Sequence, residues 1–356
     1  MWQYILQKKE DATLTCDICN PKPRGYTIYF SEDQHTEQLT HYFKGFPETE
    51  WTLINNRMFW TVEPVFFGLM DYIEAHLSAD DIFAVEASRE DPIRTLNALQ
   101  PIRSFQETRA FSWIDGLIQN RRIQTYYQPI VAVKNNVIQI VGNELLSRGV
   151  NEHNEMIPPF KMFEAARKRN RLFALDRVCR MESINNAKNA TERLIFINFI
   201  PTAIYVPEHC LATTFALIKK LDIRPEQVVF EVVETDKVQD IEHLKSILSY
   251  YRKHGFKYAL DDVGTGFNGP ELIADLQPDF VKLALEYTNG VSKDAEKKAT
   301  AEVVLKMAHD VGAQALAEGV ERKEDLDFLN EMGYDLYQGY YFAKPGPEPL
   351  QDIKIS

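Results

Sequence analysis

Beyond Gln124 the chain repeats one theme: a short apolar run of strand-type residues, then an amphipathic helical stretch. Strands are expected at 126–133, 137–146, 194–199, 228–233, 257–262, 279–284, 313–319 and 334–340. Helical spacing fills 159–170, 175–187, 240–254, 270–276, 297–311 and 323–332 between them. Buried parallel strands joined by helical crossovers produce this alternation. Eight such strands suit a (β/α)8 barrel, and an open doubly wound sheet would share the pattern. The first pair departs from it, because only residues 134–136 separate those strands. That spacing makes a hairpin, so one strand must run antiparallel. The expected fold class is α/β, a modified TIM (β/α)8 barrel with one antiparallel strand, preceded by a small α+β domain.

Polar groups favour the barrel over the open sheet. Glu144, Asn198, Glu231, Asp261, Asp262, Lys282, Glu318 and Gln338 each stand at the C-terminal part of an expected strand. A barrel brings these ends together on the face where barrel enzymes place their chemistry. Bare carboxylates converging there would repel one another, and divalent cations would relieve the repulsion. Oxygen donors suit Mg²⁺ or Mn²⁺, and the lack of Cys or His at these ends argues against zinc. Two such ions can activate a water and clamp the oxygens of a phosphodiester. Lys282 would steady the attacking hydroxide or the phosphate charge. Taken singly, each residue has a plainer use. A glutamate after a strand can cap the next helix, Asn198 can satisfy buried backbone groups, and Lys282 can be a snorkelling barrel lysine. The set as a whole points to phosphodiester hydrolysis.

At 356 residues the chain has room for two domains. Residues 1–103 read as an α+β unit for sensing, regulation or dimerisation, with strands at 25–30, 51–55, 59–67 and 81–87 and a helix at 68–77. A helix over 104–122, with Phe111, Ile114, Leu117 and Ile118 on one stripe, opens a second domain covering 104–356. The net charge of −12 argues against duplex nucleic acid, whose binding requires cations on the protein. A phosphorylated small molecule would need metal ions or a local cationic cluster. No apolar run reaches the roughly 20 residues of a membrane helix, and the N-terminus lacks signal-peptide features. A cytoplasmic protein with no membrane partner is expected. Of four cysteines, Cys179 and Cys210 read as core thiols. Cys16 and Cys19 form a C-x-x-C, followed by His35 and His41 at the outer edge of a zinc-finger spacing. Two reduced cysteines near a turn is the favoured reading. Structural zinc and a reversible dithiol are the alternatives.

Residues 107–346 resemble the EAL domain, the bacterial phosphodiesterase of cyclic di-GMP. "YYQPIV" opens the match, and "NELLSRG" stands where the family has Glu-Ala-Leu-x-Arg. "FINFIP", "FEVVET", "LDDVGTGFN", "PDFVK", "LAEGVE" and "YQGYYFAKP" follow in the family's order. The resemblance implies that Glu144, Asn198, Glu231, Asp261, Asp262, Glu318 and Gln338 surround two Mg²⁺ or Mn²⁺ ions. It implies catalytic roles for Lys282, Glu318 and Asp262. It also implies substrate contacts by Gln128, Leu146, Arg148, Asp262 and Glu321, with Glu234, Gly264, Thr265 and Gly266 supporting the loop. The substrate would be cyclic di-GMP, the product pGpG, and the assembly a homodimer through the barrel domain. The alternative is a catalytically weak or silent cyclic di-GMP-binding regulator. Departures from the family pattern fall at Leu145, Ile200, Val233, Val263, Phe267, Asn268 and Ala284. None removes a metal ligand, so they bear on rate or regulation.

Overall fold

The computed structural model describes residues 24–32, 34–135, 137–190, 192–233, 240–264 and 270–353. The chain divides into two compact units. The first runs to Gly116 and includes Glu164–Ala174; the second holds Leu117–Phe163 and everything from Leu175 onward. No helix among the described residues is long and apolar enough to cross a membrane.

The first unit is built on strands β1 (Gly25–Phe30), β2 (Trp51–Asn55), β3 (Met58–Val62), β4 (Ile82–Glu86) and β5 (Gln100–Pro101). They form one antiparallel sheet in the order β2-β3-β1-β4-β5. Helices Gln34–Phe43 and Glu63–His76 complete a β-α-β-β-α-β chain order, the ferredoxin-like arrangement. Period-two alternation places Tyr26, Ile28 and Phe30 on one buried face with Phe59. Phe43, Phe66, Leu69 and Ile73 join them in an aromatic-rich core. Tyr26 stacks on Phe66 at a centroid distance of 4.2 Å. The strand expected over 59–67 stops at Val62, because Pro64 lies in the first turn of the second helix, where a missing N–H costs nothing. The helix expected over 104–122 is broken into Gln106–Ala110 and Trp113–Gln119. Backbone bonds from Ser112 to Arg109 and from Ile114 to Phe111 close three-residue turns at the break. Ile114, Leu117 and Ile118 are nonetheless buried, as their stripe predicts. Cys16 and Cys19 lie outside the described residues.

The second unit is a closed eight-stranded barrel. Its strands are β6 (Ile123–Lys134), β7 (Val137–Val150), β9 (Leu194–Phe199), β10 (Val228–Val232), β11 (Lys257–Val263), β12 (Phe280–Leu283), β13 (Gln314–Ala317) and β14 (Leu336–Tyr337). The two-residue β8 (Met156–Ile157) adds to β7 outside the barrel. β6 is antiparallel to both its neighbours, β7 and β14, and the other barrel strands pair in parallel. The hairpin read from residues 134–136 is therefore the antiparallel element.

Alternation divides each strand between two environments. Outward residues such as Ile197, Phe230, Leu260 and Val281 pack into one large core with the surrounding helices. Helix Ile241–Lys253 shows how this works: Asp240 caps it by accepting from His243 N at 2.9 Å, and Leu244, Ile247, Leu248 and Tyr251 form its buried face. Tyr251 then stacks on Phe230 with centroids 4.0 Å apart. Inside the barrel, Ile130, Phe196, Val229, Ala259, Phe280, Leu316 and Leu336 form a separate apolar layer. This layer is the floor on which the polar residues stand.

Candidate active site at the rim of the barrel

Each floor residue on six parallel strands is followed, two positions later, by a polar one. Phe196 leads to Asn198, Val229 to Glu231, Ala259 to Asp261, Phe280 to Lys282, Leu316 to Glu318 and Leu336 to Gln338. Side chains two apart share a face, so these six groups point into the same lumen one step nearer its rim. Glu144 joins them from β7, directly opposite Gln128 on β6.

Lys282 stands at the centre and is fully buried. Its Nζ lies 2.5 Å from Glu318 Oε1, 2.7 Å from Glu231 Oε1, 3.0 Å from Asp261 Oδ1 and 3.7 Å from Glu144 Oε2. Burial alone would discharge it, but the four carboxylates outweigh burial and hold its pKa well above the ordinary lysine value. Burial likewise opposes ionisation of Glu144; the Lys282 charge and donation from Asn198 and Gln338 reverse this and lower its pKa. Asn198 Nδ2 and Gln338 Nε2 each donate to Glu144 at 2.8 Å. Glu231 and Glu318 are pushed well above the usual carboxylate range, first by burial and then by neighbouring carboxylates.

Asp261 and Asp262 are consecutive, so an ordinary strand would point them to opposite faces. A register shift in β11 between Leu260 and Val263 breaks that rule. Asp262 takes φ +50°, a left-handed conformation that aspartate tolerates better than most residues. Oxygens of Asp261, Asp262 and Glu318 consequently come within 4.8 Å of one another. This bulge re-aims a side chain, as bulges at barrel rims commonly do. Gly264 follows with φ +113°, and a Cβ there would lie 2.9 Å from the Tyr287 ring. Gly339 is required for a different reason, since its Cβ would fall 2.1 Å from the Val320 carbonyl oxygen. The close approach sets the turn that follows Gln338.

The donor set fits a divalent cation. Buried oxygens Glu231 Oε2 and Gln338 Oε1 have no hydrogen-bond partner among the described residues. Such orphans are rare in folded proteins and mark a place for a ligand. With the three converging carboxylates they supply hard oxygen donors only.

Comparison with known proteins now decides the family. Residues 112–345 match the EAL domain. The chain belongs to the EAL domain family. Within it, the chain is 31% identical over 236 residues to "Probable cyclic di-GMP phosphodiesterase PdeG" of Escherichia coli K12, covering 64% of this chain and 45% of that protein. The c-di-GMP-bound structure of a standalone versatile EAL protein from Vibrio cholerae O395 is 34% identical. It covers 65% of this chain and 95% of its own, with a TM-score of 0.57. The fold is also shared with Klebsiella pneumoniae BlrP1, solved as a calcium/cy-diGMP complex, at 21% identity and TM-score 0.56 over 91% of this chain and 96% of that one. This chain thus spans less than half the length of PdeG.

The EAL barrel gathers Glu144, Asn198, Glu231, Asp261, Asp262, Lys282, Glu318 and Gln338 at one rim. Gln128, Leu146 and Arg148 are half-buried and share the face of Glu144 along the β6–β7 hairpin. Glu321 is exposed, and its Oε2 accepts from Asn289 Nδ2 at 3.4 Å. Glu234, Thr265 and Gly266 lie outside the described residues, as do Phe267 and Asn268. Leu145, in place of the family's alanine, points outward into the main core and is 2% exposed. Ile200 is also buried, and its backbone N–H donates to Asp176 Oδ1 at 3.0 Å. That bond fixes the chain just beyond Asn198. Val263 and Ala284 prove to be neighbours, with Ala284 N donating to Val263 O at 3.1 Å. Sequence reading missed Asp176, whose advance signal is its i,i+4 spacing from Arg180, with which it forms a buried ion pair.

Proposed function

We propose that this chain hydrolyses cyclic di-GMP to the linear dinucleotide pGpG with two divalent cations, Mg²⁺ or Mn²⁺, at the barrel rim. The observation that carries the reading is the fully buried Lys282 ammonium within 3.7 Å of four carboxylates, beside a trio of carboxylates converging within 4.8 Å. Glu144, Asn198, Glu231 and Asp261 would hold one cation, and Asp261, Asp262 and Glu318 the other, with Gln338 lending its orphan oxygen. Bound cations supply a water acidic enough to attack at neutral pH and neutralise charge on the phosphate. The chain's own groups do the rest. Lys282 stays charged and orients the attacking oxygen toward phosphorus. Glu318, beside Asp261 and Asp262, would accept the water's proton. The water oxygen forms a new P–O bond as the ester P–O bond to a ribose 3′ oxygen breaks; that leaving oxygen takes up a proton, and the ring opens. Gln128, Leu146 and Arg148 contact the substrate along the hairpin, and Glu321 does so from the rim.

The same proposal covers assembly and setting. The barrel domain forms a homodimer, to which exposed Leu285 and Val303 offer apolar contact. The protein acts in the cytoplasm, with no duplex nucleic acid or membrane as partner, and the first unit serves regulation. Purified protein incubated with cyclic di-GMP and Mn²⁺ should yield pGpG on chromatography, and excess EDTA should stop it. Binding without any product would overturn the enzyme reading in favour of a silent receptor.

A further inference from the structure

β9 carries Asn198, but its ladders run out at that residue. Pairing with β7 ends at Leu145 opposite Ile197, one residue short of Asn198. On the other side β10 follows β9 only as far as Phe199. Ile200 lies beyond both ladders and is buried, so its N–H needs an acceptor from elsewhere. Asp176 Oδ1 supplies it at 3.0 Å. The Ile200 carbonyl in turn accepts from Ala203 N at 2.9 Å, which closes the turn Pro201–Ala203. Asp176 is itself held by Arg180, one helical turn later, in a buried ion pair. Arg180 Nε also donates to Thr214 Oγ1 at 3.3 Å. None of these three side chains is more than 3% exposed. Burying such a pair is costly, and an apolar pair of similar volume is often as stable or more so. Packing alone therefore gives no reason for the pair. The group an apolar replacement would lack is the acceptor for Ile200 N–H.

We propose that Asp176, oriented by Arg180, is a positioning residue for the metal centre. It fixes the backbone immediately after Asn198, where the sheet no longer does so. Asn198 and the Glu144 carboxylate to which it donates at 2.8 Å are thereby held in place for a cation. Groups that orient metal ligands in this indirect way typically change metal affinity about 10- to 100-fold when removed. The inference rests on the divalent-cation reading and goes beyond it by naming an ion pair in the helical layer that sets the affinity.

The test is calorimetric titration of Mn²⁺ into the full chain without substrate, with urea melts and turnover measured separately. An apolar double variant, Asp176→Leu with Arg180→Met, removes the acceptor and keeps the space filled. An amide double variant, Asp176→Asn with Arg180→Met, removes the ion pair but keeps an acceptor of the same reach. The apolar variant should bind Mn²⁺ about tenfold more weakly, and the amide variant should return to within about threefold of wild type. The Mn²⁺ concentration for half-maximal turnover should rise in step, and saturating Mn²⁺ should recover most of the rate. Phe280→Ala, destabilised elsewhere in the barrel, should keep wild-type Mn²⁺ affinity. If the apolar variant does not fold, Asp176→Glu replaces it: the charge stays, the acceptor moves by one methylene, and Mn²⁺ binding should weaken severalfold. Wild-type affinity in the variant that removes or moves the acceptor, or equal loss in both double variants, overturns the positioning role while leaving the phosphodiesterase reading intact. A wild type that binds Mn²⁺ and cyclic di-GMP without turnover refutes the enzyme reading alone. A wild type that binds no Mn²⁺ refutes both.

Discussion

The lumen of the barrel has two layers made by the same strands, two residues apart. The inner layer is entirely apolar, with Phe196 and Phe280 in edge contact at 5.1 Å. The outer layer is almost entirely ionisable or amide. The inner layer contributes stability through packing, and each of its groups is replaceable by another of similar volume. The outer layer is held together by its mixture of signs, with one ammonium against four carboxylates, and by the amide bonds of Asn198 and Gln338 to Glu144. Without metal such a layer is electrostatically unfinished. Function concentrates where the fold is least self-sufficient, and the apolar floor holds the unfinished layer in register.

Lys282→Met should break this contrast most severely. It leaves the buried Glu144 and Glu231 and the partly buried Asp261 and Glu318 without their counter-charge, at a cost of about 3–5 kcal/mol in metal-free protein. Urea melts would show the loss, and Mn²⁺ should recover part of it. Turnover should fall by about a thousandfold, since a preorganised charge is removed from the reacting centre. Phe280→Ala tests the floor and should cost about 3 kcal/mol through the cavity it opens. Turnover per folded molecule should stay within about twofold, as measured at a temperature where the variant remains native. Leu145→Ala restores the family's alanine but empties a site in the outer core. It should cost about 2 kcal/mol with little change in rate. The smallest effect is a null one. Burial pushes the Cys179 thiol up to about 12, so it is almost wholly protonated at pH 8. Mass-spectrometric mapping after iodoacetamide should find it unmodified in the native protein.

Alternation and hairpin spacing carried the barrel into view from sequence, because period-two burial and a three-residue connection each have few structural solutions. The strand-end rule likewise placed the polar set, since position on a parallel strand determines which rim a side chain reaches. Other features depend on non-local packing. Nothing local in "LDDVG" announces the bulge that brings both aspartates near Glu318; it follows from the register β11 adopts against β12. Pro64 was read inside a strand although it starts a helix, because Val65, Phe66 and Phe67 have strand-type side chains that the helix buries in part. The break near Phe111 escaped notice because its apolar stripe survives the break.

The most direct test sets the two layers against each other in one assay. Wild type, Glu144→Ala and Phe280→Ala are incubated with cyclic di-GMP and Mn²⁺, and pGpG is quantified per folded molecule. Wild type and Phe280→Ala should form product at similar rates, and Glu144→Ala at least about a hundredfold more slowly. Equal turnover by Glu144→Ala and wild type, or none by wild type, would contradict it.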